Sequence, residues 1–88
     1  MFHYVYVLRS AGKGVLYHGL TSDLKKRLKE HNQGLVTSTK LYRPWQLIYY
    51  EACLAYTDAK RREHYFKTSQ GRRLLKRRIK DYLFTLTS

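Results

Sequence analysis

The N-terminal third of the chain has the residue pattern of a β-hairpin. Phe2 to Arg9 is rich in Tyr and Val and predicts a strand, and Val15 to Leu20 predicts a second strand. Ser10 to Gly14 contains two glycines and predicts the turn between them. We therefore expect the chain to begin with two antiparallel strands.

The hairpin register decides which side chains face each other. If the loop runs from Ser10 to Lys13, Arg9 pairs with Gly14 and Tyr6 lies opposite Tyr17. Both phenols then lie on one face of the sheet, because side chains of a strand alternate between faces.

A first helix is predicted after the hairpin. Ser22 can cap it, Asp23 stands in its first turn, and the helix runs to about Asn32 before stopping near Gly34. A polar stretch follows from Leu35 to Arg43.

The second half predicts one more strand and two helices. Pro44 opens a strand that continues to Tyr50, and Thr57 can cap a helix reaching roughly Ser69. Gly71 separates this helix from a third one that continues to about Phe84. The order β-β-α-β-α-α predicts an α+β fold, with helices packed around a small, mostly antiparallel, three-stranded sheet.

Length and composition favour one small domain over residues 1–88. The lone Cys53 cannot form an internal disulfide, which argues against a secreted disulfide scaffold. No apolar run has the length of a membrane span, and the N-terminus lacks a signal-peptide pattern. A soluble cytoplasmic protein that does not enter a membrane is the expectation.

The chain carries a large excess of basic residues. Lys and Arg number 18 against 6 Asp and Glu, for a net charge of +12. Such a domain attracts polyanions, and nucleic acid is the first candidate because the basic residues cluster and alternate with aromatic ones. An anionic membrane surface and a merely solvated basic surface are the alternatives.

The first helix directs two polar side chains toward the sheet. At about 100° per residue, Leu24 and Leu28 form one stripe, with Arg27 beside it and His31 within it. Arg27 either passes the edge of the core with its charge in water or has a function. His31 is either satisfied by a backbone group or has a function.

The second helix places a carboxylate on its apolar face. Glu63 lies between Ala59 and Phe66 on the inner stripe, where an unpaired charge is costly. One interpretation is an ion pair with Arg27, Arg62 or a lysine. The other is an active-site carboxylate that holds a divalent cation, since Mg²⁺ can bind through one carboxylate plus waters and substrate phosphates.

The third helix separates apolar and basic residues. A basic face of this density suits contacts with a phosphate backbone. Trp45 could also stack on a base, but it begins an apolar strand and is better explained as a core residue. The predicted DNA-binding residues are Lys40, Arg43, Arg72, Arg73, Arg77 and Lys80.

The order of these polar residues resembles the GIY-YIG nuclease superfamily. Tyr4-Val5-Tyr6 corresponds to the first signature triplet and Tyr17-His18-Gly19 to the second. The stretches LTSDLKKRLKEHNQG and KRREHYFK are similar to the family's helices. The resemblance extends from Phe2 to about Leu75 and is strongest to the compact single-domain bacterial branch.

The resemblance implies a metal-dependent DNA endonuclease. Tyr17 would be the general base, and Tyr6 would position the attacking water or share the role of base. Arg27 would stabilise the scissile phosphate, and Glu63 would hold one Mg²⁺ or Mn²⁺ ion. His31 would assist proton transfer or bind phosphate. No small-molecule cofactor is implied.

The chain departs from the family pattern at three places. Tyr4 replaces the first glycine, and His18 replaces an apolar residue, where it is best explained as a packing residue facing away from Tyr17. No asparagine follows Glu63, although Ser69 or Gln70 can substitute for it. The alternatives are therefore a nucleic-acid-binding module without catalysis, and an interaction domain that binds protein or lipid. With no attached recognition domain, we expect weak sequence preference and cleavage selective for DNA shape.

Overall fold

A three-stranded antiparallel sheet forms the centre of the protein. In the computed structural model, which describes residues 1–87, the strands are β1 (His3–Ser10), β2 (Leu16–Thr21) and β3 (Trp45–Cys53). The strand order is β2-β1-β3, so the long first strand is central and pairs with both others.

Four helices surround this sheet. They are α1 (Leu24–Asn32), α2 (Tyr56–Phe66), α3 (Ser69–Arg78) and α4 (Lys80–Thr85), and a short 3₁₀ turn lies before β3. The α+β class and the order β-β-α-β-α-α are confirmed. The last predicted helix is divided at Ile79, whose ψ of 28° departs from helical geometry.

The predicted hairpin register is wrong by two residues. Arg9 pairs with Leu16 and not with Gly14, so Tyr6 lies opposite Gly19, and Tyr17 lies opposite a leucine. The turn is longer than expected because Gly14, with φ of +71°, belongs to the turn and not to β2. A shift of two residues preserves the face of each side chain, so both phenols still lie on the same side.

The two faces of the sheet bury different helices. On one face, Tyr6, Leu8 and Trp45 pack with leucines of α1. On the other, Val5 and Val7 pack with α2 and α3. Trp45 is a core residue, as expected from its place in the strand.

Two predicted helix caps are wrong. Asp23, and not Ser22, caps α1, because its carboxylate accepts a hydrogen bond from the Lys26 backbone N–H at 3.1 Å. Gly34 ends this helix as predicted, with φ of +79°. At α2 the N-cap is Ala55, and Thr57 stands inside the first turn.

The boundary between α2 and α3 also differs from the prediction. α2 ends at Phe66, and Thr68 caps α3 by accepting from the Gly71 backbone N–H at 3.1 Å. Gly71 therefore lies inside α3 and does not separate the helices. Its missing side chain allows close contact, since a Cβ there would lie 1.9 Å from the Tyr65 carbonyl oxygen.

Within residues 1–87, none of the helices combines the length and the apolar character that spanning a membrane requires.

Candidate active site

Tyr6 lies in the middle of the central strand, opposite a residue of β2 that leaves room for its ring. The side chain is 2% exposed, and its hydroxyl lies 2.9 Å from His31 Nε2. The opposite residue is Gly19, where a Cβ would lie 2.3 Å from the phenol oxygen. The glycine of the second triplet therefore makes room for the tyrosine of the first.

His31 connects Tyr6 to the loop that follows α1. It is fully buried, and its Nδ1 lies 2.8 Å from Thr39 Oγ1, which in turn donates to the Val36 carbonyl at 3.3 Å. Because Thr39 uses its hydrogen there, it accepts from His31, so this network assigns the proton to Nδ1. Nε2 is then the acceptor of the Tyr6 O–H.

Burial and charge keep this histidine neutral. Desolvation lowers the pKa of His31, and the nearby Arg27 guanidinium lowers it further. The backbone partner considered for His31 from the sequence is wrong, because both ring nitrogens contact side-chain hydroxyls.

Tyr17 lies beside this pair. Its ring centroid is 6.3 Å from that of Tyr6 and 5.1 Å from that of His31, the latter in an edge contact. It is half-buried and lines the same cleft as Tyr6. Burial raises the pKa of the Tyr6 phenol, and Arg27 partly offsets this rise.

Arg27 reaches the cleft from α1. Its side chain is 36% exposed, and Nη1 donates to Glu30 Oε1 at 3.1 Å. The guanidinium also interacts with the Tyr6 hydroxyl, which raises the pKa of Arg27, and its remaining N–H donors can reach another partner. Arg27 is therefore neither a purely solvated side chain nor the ion-pair partner of Glu63.

Glu63 is buried on the inner face of α2, with two lysines and a histidine close to it. Its Oε2 lies 2.8 Å from Lys67 Nζ, and its Oε1 lies 3.9 Å from Lys60 Nζ and 3.7 Å from His64 Nε2. Oε1 is buried and has no hydrogen-bond partner. The structure thus contains the predicted ion pair with a lysine, and one carboxylate oxygen remains without a hydrogen bond.

These groups meet in one cleft of about 440 Å³, called the Tyr6 cleft below. Because β2 is an edge strand, side chains from helices on both faces of the sheet can meet beside it. Tyr6, Tyr17, Arg27 and Glu63 line the cleft, together with Lys60. His31 lies behind Tyr6 and reaches the cleft only through its hydrogen bond.

The residues present fit one loosely held divalent cation. Glu63 is the only carboxylate lining the Tyr6 cleft, and residues 1–87 contain no cluster of three or more His, Cys, Asp or Glu side chains suited to a metal. The unpartnered Oε1 is a suitable ligand for an ion that keeps its waters and binds substrate phosphates.

The predicted DNA-binding residues are exposed and lie outside the Tyr6 cleft. Arg43 is partly engaged, since its Nε donates to the Lys40 carbonyl at 2.7 Å. Lys40 lies in the 3₁₀ turn before β3, and the remaining four lie along α3 and at the start of α4, namely Arg72, Arg73, Arg77 and Lys80.

Two residues of the site were missed by sequence reasoning. Thr39 stands in a polar loop with no periodicity, and no local signal marks it. Lys60 precedes Glu63 by about one helical turn, so the helical period that drew attention to Glu63 could also have indicated Lys60. His18, by contrast, faces the other layer as expected and stacks on Phe66 at 26°.

Comparisons with known proteins identify the family of the chain. The GIY-YIG catalytic domain family matches residues 2–80. A UPF0213 protein of Bacillus pumilus is 45% identical over 67 residues, which are 75% of this chain and 67% of that protein. A UPF0213 protein of Staphylococcus saprophyticus is 37% identical over 75 residues, covering 84% of this chain and 90% of that protein.

A solved structure is also similar. The solution NMR structure of a UPF0213 protein from Bacillus halodurans is 33% identical, covers 98% of this chain and 85% of that one, and has a TM-score of 0.49. The match of the family along almost the whole chain shows that this protein belongs to the GIY-YIG catalytic domain family.

Proposed function

We propose that this protein is a metal-dependent DNA endonuclease that hydrolyses phosphodiester bonds with Mg²⁺ or Mn²⁺. The main support for this proposal is that two phenols, a guanidinium and a buried carboxylate with one oxygen free of hydrogen bonds converge in the Tyr6 cleft. Membership in a nuclease family supports the same conclusion.

The hydrogen-bond pattern favours Tyr6 over Tyr17 as the group that accepts the water proton. Tyr6 donates its own proton to a neutral His31, which has its lone pair directed at the phenol. As water attacks phosphorus, its proton passes to the Tyr6 oxygen and the phenol proton passes to Nε2. Tyr17 then orients the water, which exchanges the roles that the family resemblance implied.

Two cations of the cleft are suited to the scissile phosphate. Arg27 has planar N–H donors beyond those that face Glu30 and Tyr6, and Lys60, which is 48% exposed, adds a point charge on a flexible stem. Both would favour the negative charge that develops in the transition state. The phosphorus–oxygen bond to the leaving group breaks, and the leaving oxygen takes a proton from solvent.

Glu63 would hold the divalent ion through Oε1. When bound, such an ion supplies Lewis-acid stabilisation of the leaving oxygen. Because Lys67 already neutralises the other carboxylate oxygen at 2.8 Å, Glu63 alone binds the cation weakly. We therefore expect phosphate oxygens of the substrate to complete the site.

The exposed basic residues of α3 and α4 would hold the phosphate backbone. Contacts of this kind carry no sequence information, which accounts for the low sequence preference we propose. Replacing Arg72, Arg73 and Arg77 by alanine should lower the slope of log affinity against log salt by about 0.9 per lost phosphate contact on duplex DNA. An unchanged slope would exclude this surface.

The surroundings of the Glu63 carboxylate also support a second candidate function, a nucleic-acid-binding module without catalysis. Two lysine ammonium groups within 4 Å of Glu63 oppose a divalent cation by charge repulsion. In that case the +12 charge would serve binding alone.

A cleavage assay separates the two candidates. Supercoiled plasmid and a set of nicked, branched and single-stranded DNAs would be incubated with Mg²⁺, Mn²⁺ or EDTA. We expect wild-type cleavage that needs a metal, and losses of about 100-fold or more in Tyr6→Phe and Glu63→Gln, the scale of removing an acid–base or electrostatic group.

Tyr49→Phe is the matched control, because the Tyr49 hydroxyl donates a hydrogen bond to Glu51 outside the Tyr6 cleft. It should cleave like wild type. Equal cleavage by all four proteins would indicate a contaminant or another site. Metal-independent binding without cleavage by wild type would favour the binding module.

A further inference from the structure

An exposed group of aromatic rings lies next to the Tyr6 cleft. Phe2, Tyr4 and Tyr50 are called the aromatic face below. Tyr4 contacts both of the others, with its ring centroid 6.4 Å from that of Phe2 and 5.9 Å from that of Tyr50. Phe2 is 47% exposed and Tyr50 is 53% exposed. Neither belongs to the hydrophobic core, so core packing does not explain this cluster.

The aromatic face is continuous with the candidate site. Tyr4 precedes Tyr6 by two positions on β1 and therefore points to the same side of the sheet. Tyr50 lies directly opposite Tyr6 on β3. A groove of about 270 Å³ that contains Tyr4 and Tyr50 shares Ser22 with the Tyr6 cleft.

Building on the proposed function, we propose that the aromatic face binds an unpaired base next to the phosphate held in the Tyr6 cleft. Two positions along a strand span about 6.6 Å, comparable to the separation of successive phosphates in an extended single strand. A strand with one phosphate beside Tyr6 would thus bring a neighbouring base over Tyr4 and Tyr50.

The chemistry of the face matches this occupant. Bases of any sequence stack on aromatic rings, and a basic protein attracts the phosphates between them. Lys25 and Asp23 both line this groove, so the attraction for phosphates comes from the chain as a whole, which has a net charge of +12. In a duplex the base faces are already stacked and paired, so the ring surface would select DNA with an unpaired segment at the cut.

The test measures binding in EDTA, where cleavage cannot occur. A short oligo(dT) strand carrying one 2-aminopurine, whose fluorescence changes on stacking, would be titrated with each protein. We expect Tyr50→Ala and Phe2→Ala to weaken single-strand binding by about 5- to 150-fold, the range known for loss of one stacked base. The same strand in a duplex should bind with less than about a twofold change.

Two variants serve as controls. Tyr50→Phe keeps the ring and should bind like wild type. Phe84→Ala removes an aromatic side chain that is 70% exposed on α4, away from the groove, and should have no effect. Thermal melting would show that each variant is folded.

Three results would overturn the proposal. They are unchanged single-strand binding in both alanine variants, an equal loss on duplex DNA, and a loss of self-association in ultracentrifugation without any loss of DNA binding. The last would mean that the aromatic face contacts a second copy of the chain. If wild type binds the single strand but cuts no DNA with any metal, the nuclease proposal fails, while the proposal that the aromatic face binds an unpaired base is retained.

Discussion

At the scale of single residues, the site depends on one close contact between a glycine and a phenol. Gly19 has an ordinary backbone conformation, so it is required for space and not for φ. This gives a physical reason for a glycine in the second triplet. The aromatic ring of Tyr6 occupies the volume that any larger residue at position 19 would need.

Replacing Gly19 by alanine should displace the phenol. The added Cβ would lie 2.3 Å from the Tyr6 oxygen, so the ring must move and the 2.9 Å bond to His31 must break. We expect a loss of about 1–3 kcal/mol in the free energy of unfolding, as for other overpacked sites, and a loss of cleavage. Urea denaturation and the plasmid assay measure both, and wild-type values for each would refute the role of this contact.

Thr39 should determine the tautomer of His31. In Thr39→Val the buried Nδ1–H loses its acceptor, which costs about 1–3 kcal/mol and favours the tautomer with the proton on Nε2. Nitrogen-15 NMR of the imidazole should therefore show a mixed or reversed tautomer, while Thr39→Ser should retain the wild-type spectrum. An unchanged spectrum in Thr39→Val would mean that another group orients the ring.

At the scale of elements, the contact between α2 and α3 depends on Gly71. The helices are joined by only Lys67 and Thr68, and the first turn of α3 lies against the last turn of α2. This tight connection holds α2, and with it Glu63, against the sheet. The structure therefore links a residue remote from the Tyr6 cleft to the placement of its carboxylate.

Gly71→Ala should be among the more destabilising glycine substitutions in the chain. Its Cβ would lie 1.9 Å from a backbone oxygen of Tyr65, which cannot rotate away. We expect a cost of at least about 1–3 kcal/mol in chemical denaturation. Gly12→Ala is the matched control, because nothing lies within 4 Å of its Cβ position, and equal stability of the two variants would contradict the explanation.

At the scale of the whole molecule, two histidines link stability to pH. Burial lowers the pKa of both His18 and His31 below 6.5. Lys67 and Arg72 lower that of His18 further and Glu63 opposes them, while for His31 Arg27 lowers it and Glu30 opposes. Below pH 6.5 the unfolded chain thus binds more protons than the folded one.

Stability should therefore fall as the pH is lowered from about 7.5 through 6.5, at a slope of at most about 1.4 kcal/mol per pH unit for each histidine. His18→Phe keeps the stacking on Phe66 and removes one titrating group, including its buried, unpartnered Nε2. It should reduce the slope in urea titrations at successive pH values. A slope as steep as that of wild type would show that His18 does not contribute.

Local patterns in the sequence were sufficient for much of the fold. Alternation, capping residues and turn glycines depend on a few neighbouring residues, so the three strands, the order of elements and the inward face of α2 could be predicted. The position of Glu63 on that face followed from helical period alone. Helix ends were less certain, because neighbouring polar residues such as Ser22 and Asp23 compete for the same cap.

Only the tertiary structure decided how these side chains meet. The hairpin register depended on how many residues the turn absorbs, and the partner of Glu63 depended on which of several lysines reaches it. Thr39 joined His31 through a loop without periodicity. The sequence by itself determined the elements and the identity of the polar groups, because these are local properties. Their distances and protonation depend on burial by distant parts of the chain, which only folding creates.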